Sequence, residues 1–324
     1  MGIKRRITRA TAQTLTLEDA FEAYVDEKKA LNKAPATIKN IEGTYKVWTF
    51  YLERNGMSFD VKDVDEGYIL SFSRHCLNED MRATTLNHYL RDIRAFCYWC
   101  MEKCYIPKKF QIKLVTQQQT IKETYTDEEK MKLIARPSKN ATFVEWRCWA
   151  VINFILATGQ RAGTVCEMCL GDINYSKGEI TIRKTKTNKA SIIPLSKALS
   201  VALKEYTRQW RGISEDTDYL FPGIDDNKLT VNALKHSIAK YNRDRDVNRT
   251  SVHAFRHTFA KDWIRNTGDV FRLQKMLGHS TLEMTRQYVN MFNEDLKEDF
   301  DEYNPLDRLK KNASRTQAVK RTVD

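Results

Sequence analysis

The residues best suited to chemistry lie in the last quarter of the chain, in two short motifs followed by a tyrosine. The candidates are His253, Arg256 and His257 within residues 251–260 (SVHAFRHTFA), His279 after Leu277-Gly278, and Tyr288. Three histidines in this region suggest a metal site, but an arginine between the first two would repel a dication. A guanidinium instead favours an anion, which it binds through two hydrogen bonds. A helix N-terminus with one histidine packed in the core is the alternative interpretation.

Two arginines, a lysine and a tyrosine would suffice to break a phosphodiester bond without a metal. Attack by an oxygen nucleophile adds negative charge to the phosphate oxygens, and positioned cations stabilise that charge. Arg161 and Arg256 are each predicted at a loop-to-helix transition. A hairpin lysine could protonate the leaving oxygen, and a tyrosine nucleophile would hold the cut strand as an ester. The sequence has no Walker P-loop and no acidic cluster typical of a two-metal nuclease.

The composition also favours a polyanionic partner. The 324 residues contain 54 Lys and Arg against 42 Asp and Glu, a net charge of +12, which is typical of nucleic-acid-binding proteins. No apolar run approaches the roughly 18 residues of a membrane span, and the polar N-terminus lacks the apolar core of a signal peptide. Seven cysteines, an odd number, fit a reducing compartment better than a disulfide framework. We therefore expect an intracellular, cytoplasmic protein with no membrane partner.

Two Cys-x-x-Cys pairs raise the alternative of a zinc site. Cys97 and Cys100 lie in the apolar helical stretch FCYWCM, which has no turn glycines, and Cys166 and Cys169 form the second pair. Free cysteine is among the most buried residue types. We therefore predict core packing rather than metal ligation for these thiols.

Helical periodicity dominates the first hundred residues, after a basic and polar segment at residues 1–16. Apolar residues recur at three- and four-residue steps, which predicts helices. The predicted helices run from Leu17 to about Leu31, from Pro35 to about Asn55, from Asp65 to about Cys76, and from Thr84 or Thr85 to about Cys104. Pro107 ends this four-helix module.

A second domain is predicted after a basic, glutamine-rich linker at residues 108–124, because Thr126 and Glu129 form a capping box. An apolar helix follows at 143–157. Alternating isoleucines, a polar tip with lysines and a second isoleucine pair over residues 179–194 predict a small antiparallel sheet. Further helices are predicted at 196–211, 230–243, 251–265, 269–277, 281–291 and 293–301. The predicted fold is mainly α with a small antiparallel β-sheet.

The chain resembles the tyrosine recombinase (phage integrase) family, because six residues match that family's active-site signature in order and approximate spacing. They are Arg161, Lys186, His253, Arg256, His279 and Tyr288. The resemblance covers residues 17 to about 303. It implies a SAM-like helical core-binding domain at 17–107 and a tyrosine-recombinase catalytic domain at 125–303. A basic N-terminal segment at 1–16, the linker at 108–124 and a basic C-terminal tail at 304–324 complete the predicted organisation.

The resemblance implies a phosphate pocket built from four of these residues. Arg161 and Arg256 would bind the scissile phosphate, and His253 and His279 would complete the pocket. His257 is expected to pack or to make a supporting hydrogen bond.

The resemblance also implies how the bond is broken. Tyr288 would attack the phosphate and form a 3′-phosphotyrosine, and Lys186 would protonate the leaving 5′ oxygen. Lys184 and Lys189 lie close enough in the same hairpin to be alternatives for that role. The family uses neither a divalent metal nor a nucleotide cofactor, so neither is expected.

Two positions depart from the family pattern. The family usually has an acidic residue three positions after its first arginine, where this chain has Thr164, and Glu167 follows only later. Gln160 replaces the leucine that commonly precedes that arginine. The support of Arg161 is therefore expected to differ from that in the family.

The implied partners are two recombination sites on double-stranded DNA, brought together by a homotetramer that exchanges strands through a Holliday junction. The acidic segment 294–302, with Leu296 and Phe300, is expected to dock on a neighbouring protomer. Packing on its own protomer is the alternative. An accessory directionality factor is a further partner that the family admits.

The predicted function is site-specific DNA recombination, as the integrase or excisionase of a mobile genetic element. An Xer-type recombinase that resolves chromosome dimers is the first alternative. A type IB topoisomerase-like enzyme, which shares the chemistry, is the second. A DNA-binding protein on an inactive recombinase scaffold is the third.

Overall fold

A computed structural model describes residues 15–116, 123–183, 190–266, 269–279, 281–283 and 285. The chain divides into two compact units, residues 1–120 and residues 121–324. Across these described ranges, every helix falls short of the length and apolar character that crossing a membrane requires.

The first unit contains the four predicted helices: α1 (Leu17–Ala30), α2 (Pro35–Arg54), α3 (Glu66–Asn78) and α4 (Ala83–Glu102). Local signals in the sequence set their starts. Thr16 and Asp19 form a capping box before α1, and the Asp65 carboxylate accepts from the backbone of Tyr68 at the start of α3. The fourth helix ends earlier than predicted, because Cys104 adopts a left-handed conformation with φ of 60° that stops the helix.

Aromatic packing around α4 forms the core of the first unit. The Phe96 ring meets the edges or faces of Phe21 and Tyr24, each with ring centroids 5.5 Å apart. Cys97 and Cys100 are fully buried in this core. Burial raises the pKa of both thiols, that of Cys100 to about 12, so the thiolate needed for metal binding is disfavoured. Core packing, as predicted, is what these two residues do.

The chain after α4 stays attached to the first unit as far as Val115. Ile112 is buried in the same core, and the Asn87 side chain makes two 2.8 Å hydrogen bonds with the backbone of Val115. The first half of the predicted linker is therefore held by side chains of this unit.

The second unit is built mostly from helices around one central helix. Its elements are α5 (Asp127–Ile134), α6 (Phe143–Thr158), α7 (Ala162–Val165), β1 (Ile173–Asn174), β2 (Glu179–Ile182), β3 (Ser191–Pro194), α8 (Lys197–Trp210), α9 (Val231–Arg243), α10 (Val252–Arg265) and α11 (Val270–Leu277). Because α6 is apolar on all sides, it packs against α5, α8, α9 and α10.

The small sheet has the strand order β1-β2-β3 and is antiparallel throughout. Ile180 pairs with Ile193, and both are buried, whereas Ile192 points outward with 66% of its surface exposed. The sequence predicted β2 and β3 from their alternation, but β1 has only two residues and shows no period. The predicted helices 281–291 and 293–301 lie largely outside the described residues.

Candidate active site

A tight turn at Gly159 places the first arginine. Gly159 ends α6 in a left-handed conformation with φ of 65°, and its backbone N–H donates to Ile155 O. A Cβ at this position would lie 2.4 Å from Phe259 and 2.6 Å from Leu277, so only glycine fits. The turn delivers Arg161 to the N-cap position of α7, which confirms its predicted place at the start of a helix.

Helix α10 carries the second arginine and two of the histidines. It begins after Ser251, whose hydroxyl caps the backbone of Ala254. Arg256 is the fifth residue of this helix rather than at its start, and only 1% of its surface is exposed. The helix begins with its cap at Ser251 as predicted, but the loop-to-helix transition predicted for Arg256 itself is wrong, because this residue lies one turn inside the helix.

Within the described residues, three neighbouring groups accept hydrogen bonds from the Arg256 guanidinium. Its Nη1 donates to Gly159 O at 2.7 Å, and its Nη2 donates to Leu277 O at 2.9 Å and to His279 Nε2 at 2.9 Å. These three acceptors are neutral, so they orient the group without neutralising its charge. The side chain is thereby fixed at both ends of its planar fork.

The same contacts determine the tautomer of His279. A guanidinium only donates, so Nε2 of His279 must be unprotonated to accept from it. The proton then lies on Nδ1, which is 2.8 Å from the Thr285 hydroxyl. We assign a neutral imidazole with its Nδ1–H directed to Thr285, from this network of contacts.

The C-terminus of α11 connects the two arginines. Leu277 O accepts from Arg161 Nη1 at 3.5 Å as well as from Arg256. Carbonyls at a helix C-terminus carry partial negative charge, which favours cations there. The structure therefore brings Arg161 and Arg256 together at one backbone carbonyl, with His279 bonded to Arg256.

The two histidines of α10, His253 and His257, lie on one face of the helix, because they are four residues apart. The rings of His253 and His257 meet edge to face with centroids 4.4 Å apart. His253 is exposed, whereas His257 is only 7% exposed. His257 packs in the interior, as predicted, and His253 lies at the exposed start of the helix.

The two departures from the family pattern have distinct surroundings. Gln160 is 6% exposed, and its Nε2 donates to Met276 O at 2.8 Å. Glu167 forms an ion pair with Lys228. Thr164 and Glu167 both line a cavity of the second unit. Of the two departures, Gln160 therefore provides a specific contact near Arg161, a buried amide bound to the backbone of α11.

Tyr125 supports α10 through contacts that the sequence did not predict. Its backbone N–H donates to Thr258 Oγ1 at 2.8 Å, and its ring stacks on Phe255 at 4.1 Å. Its hydroxyl donates to Ser251 O at 3.1 Å and accepts from Asn242 at 3.1 Å. The only local signal was an aromatic residue directly before a capping box.

An ion pair lies at the base of the lysine hairpin. Arg183 binds the carboxylate of Asp172, which is 2% exposed and also accepts from the Cys169 backbone at 2.8 Å. The hairpin lysines Lys184, Lys186 and Lys189 and the nucleophile candidate Tyr288 lie outside the described residues. Among the residues that the structure does describe, no three histidines, cysteines or carboxylates are grouped closely enough to hold a metal ion.

Comparison with known proteins identifies the family. The sequence profile of the phage integrase family matches residues 124–295. Tyrosine recombinase XerA of Pyrococcus furiosus is 29% identical over 193 residues, which are 59% of this chain and 65% of that relative. Tyrosine recombinase XerC of Corynebacterium glutamicum is 22% identical over 302 residues, which are 91% of this chain and 94% of that relative.

Solved structures confirm the fold. The Tn1549 transposon integrase in complex with a circular intermediate DNA matches with a TM-score of 0.70 and 18% identity, over 85% of this chain and 95% of that one. A lambda integrase tetramer bound to a Holliday junction matches with a TM-score of 0.66 and 16% identity, over 88% of this chain and 81% of that one. The predicted fold, mainly helical with a small antiparallel sheet, is confirmed. The chain belongs to the phage integrase family and is a tyrosine site-specific recombinase, with the catalytic domain in its second unit.

Proposed function

We propose that this recombinase cuts DNA through Tyr288, forms a 3′-phosphotyrosine intermediate, and exchanges strands through a Holliday junction as the integrase of a mobile genetic element. The observation that carries the chemical part is the carbonyl of Leu277, which holds Arg161 and Arg256 beside His279. Two guanidinium groups in one place suit the oxygens of a single phosphate, and His279 holds one of them through its Nε2.

In this proposal the arginines stabilise the charge of the transition state. The pentavalent phosphate carries more negative charge than the diester, and each positioned donor contributes about 3 kcal/mol or more in a site that excludes water. The neutral carbonyls around Arg256 fix the donor before the substrate arrives, which lowers the reorganisation cost. His253, at the exposed start of α10, would complete the pocket.

The covalent step conserves both bonds and protons. The Tyr288 oxygen bonds to phosphorus, and the bond between phosphorus and the 5′ oxygen breaks. The phenol loses one proton and the leaving oxygen gains one, which Lys186 would supply. Rejoining runs the same step backwards with a 5′ hydroxyl from the second site, so no nucleotide cofactor is required.

The similarity of this chain to known recombinases supports the choice of partners. The lambda integrase structure is a tetramer on a Holliday junction, and we propose the same assembly on two double-stranded DNA sites for this chain. We propose that the acidic segment 294–302 docks on a neighbouring protomer, and that an accessory factor sets the direction of recombination. Truncation after Met291 should then preserve binding to one site but impair recombination between two. Recombination at the full-length rate would refute this docking.

Two biological roles compete. The fold similarity to a transposon integrase suggests a mobile element, whereas the Xer recombinases among the relatives suggest resolution of chromosome dimers. Mapping the covalent cleavage positions on candidate DNA separates them. Cleavage at the ends of an element supports the integrase, and cleavage only at a chromosomal dimer-resolution site supports the Xer role.

The nucleophile is tested with a nicked suicide substrate, which traps covalent protein–DNA adducts. Tyr288→Phe should keep DNA binding and lose all adducts. Tyr303→Phe is the matched control, since it removes a tyrosine hydroxyl elsewhere in the same part of the chain, and it should form adducts normally. Adduct formation by the Tyr288→Phe variant would end the assignment.

The proton donor is tested with a 5′-bridging phosphorothiolate, whose sulfur leaves without a proton. Lys186→Ala should be slow on ordinary DNA and largely rescued on this substrate, whereas Arg256→Ala should not be rescued. Rescue of Lys184→Ala or Lys189→Ala instead would move the role to that lysine.

A further inference from the structure

The last four carbonyls of α11 are all accounted for. A helix leaves its final four carbonyls without partners inside the helix. The carbonyls of Gln274 and Lys275 accept from the backbone of the cap that follows. Those of Met276 and Leu277 accept instead from side chains of the turn after α6 and of α10. The end of α11 is therefore completed by residues of the active site.

Gln160 supplies the donor for one of these two carbonyls. Its amide reaches Met276 O at 2.8 Å across a sequence separation of 116 residues, and the side chain is 94% buried, with 6% exposed. The next carbonyl along, Leu277 O, is the one that Arg161 and Arg256 share. Gln160 thus binds the α11 carbonyl directly before the carbonyl that accepts from both arginines.

The backbone around Gln160 strengthens this connection. Gly159 O accepts from Arg256, and Arg161 follows Gly159 two positions later in the same turn. A shift of the turn relative to α11 would therefore move an acceptor of one arginine and the backbone of the other at the same time. The Gln160–Met276 hydrogen bond opposes that shift, because breaking it leaves a buried carbonyl without a donor.

We propose that Gln160 is a positioning residue for the phosphate-binding arginines. Its amide fixes the turn at residues 159–161 against the C-terminus of α11, and so sets the distance between the guanidinium of Arg161 and that of Arg256. It does not itself touch the phosphate. The inference rests on the proposed role of the two arginines. It gives a function to Gln160, one of the two positions at which this chain departs from the family pattern.

The proposal is tested with Gln160→Met, which keeps the length and burial of the side chain but removes the donor. Asn153→Leu is the matched control, since the Asn153 amide likewise donates to a backbone carbonyl, that of Trp149, at 2.9 Å. Gln160→Glu is the second variant, because an ionised carboxylate of the same length cannot donate. Folding of each protein is checked by thermal unfolding, and binding by titration with an uncleavable DNA site.

The decisive measurement compares two substrates in single-turnover cleavage. One has an ordinary scissile phosphate, and the other a methylphosphonate, in which a methyl group replaces a charged oxygen. Without that charge, the position of the arginines matters less. Because one buried hydrogen bond has been lost, Gln160→Met should cleave the phosphate about tenfold more slowly, which corresponds to ~1.4 kcal/mol. It should cleave the methylphosphonate at a rate within about twofold of that of the unsubstituted protein. Asn153→Leu should show no difference between the substrates.

The outcomes separate the inference from the proposal beneath it. Arg161→Ala should also be relieved on the methylphosphonate, and if it is not, the proposed role of Arg161 fails. If Arg161→Ala is relieved but Gln160→Met is equally slow on both substrates, Gln160 serves only the fold. If Gln160→Met cleaves the phosphate at the normal rate, the hydrogen bond to Met276 positions nothing.

Discussion

Replacement of Gly159 by alanine should be far more harmful than the same change at another left-handed glycine. Gly159 and Gly178 have nearly equal φ angles, 65° and 67°. A Cβ at Gly178 would meet no atom within 4 Å, whereas at Gly159 it would lie 2.4 Å from Phe259 and 2.6 Å from Leu277. The two variants therefore share the backbone penalty and differ in the steric one.

The magnitudes follow from these contacts. A non-glycine residue in the left-handed region costs roughly 1–2 kcal/mol, and forcing extra atoms into a packed core costs about 1–3 kcal/mol more. We expect Gly178→Ala to lower the free energy of unfolding by about 1–2 kcal/mol and Gly159→Ala by about 2–5 kcal/mol. Because displacement of Leu277 also moves the carbonyl shared by Arg161 and Arg256, cleavage by Gly159→Ala should fall even where the protein is fully folded.

Hydrogen exchange of the amides in α6 and α10 measures this stability in the second unit alone, because those helices open only with that unit's core. Single-turnover cleavage at a temperature where both variants are folded measures the second effect. Equal loss of stability in Gly159→Ala and Gly178→Ala would refute the steric argument. Normal cleavage by folded Gly159→Ala would refute the link between the turn and the arginines.

Three further outcomes follow from the structure. Arg256→Lys keeps the charge but cannot span both carbonyls, so cleavage should fall by ~100-fold or more while DNA affinity stays within about twofold; near-normal cleavage would mean that charge alone matters. Thr285→Val removes the acceptor of the His279 Nδ1–H and should slow single-turnover cleavage by about tenfold, the scale of one lost buried partner; an unchanged rate would contradict the assigned tautomer. Ile193→Ser, at a buried position, should lower the free energy of unfolding by about 3 kcal/mol, whereas Ile192→Ser, at an exposed one, should change it by less than ~0.5 kcal/mol. Urea unfolding measures both changes, and equal effects would contradict the sheet register.

The sequence predicted those features that local patterns determine. Two of the first unit's helices begin at a capping residue and one at a proline. All four repeat their apolar residues with a helical period, so their bounds were correct to within about two residues, the usual uncertainty at helix ends. Strand β1 was missed, because two residues are too few to show any period. Of helix α7 only the start at Arg161 was predicted, since its four residues show no period either.

The support of the site could not be predicted, because it depends on contacts between distant parts of the chain. The partner of Gln160 lies 116 residues away and that of Tyr125 lies 133 residues away. Nothing in the local sequence marks either pair. The start of α10 at Ser251 was predicted correctly, but Arg256 lies one turn inside that helix and not at its beginning. The chemical identity of a site is thus easier to read from a sequence than the means by which its residues are held.

The attachment of Tyr125 to α10 has a consequence for how the protein is made. Ribosomes deliver Tyr125 early and Thr258 late, yet the backbone of the first is bound to the hydroxyl of the second. Pairing over so long a stretch of chain delays folding until the distal partner has emerged. The second unit therefore cannot complete its core during the first half of its synthesis. A chain interrupted before α10 would carry Arg161 without its partner, so partly made protein should be unable to cut DNA.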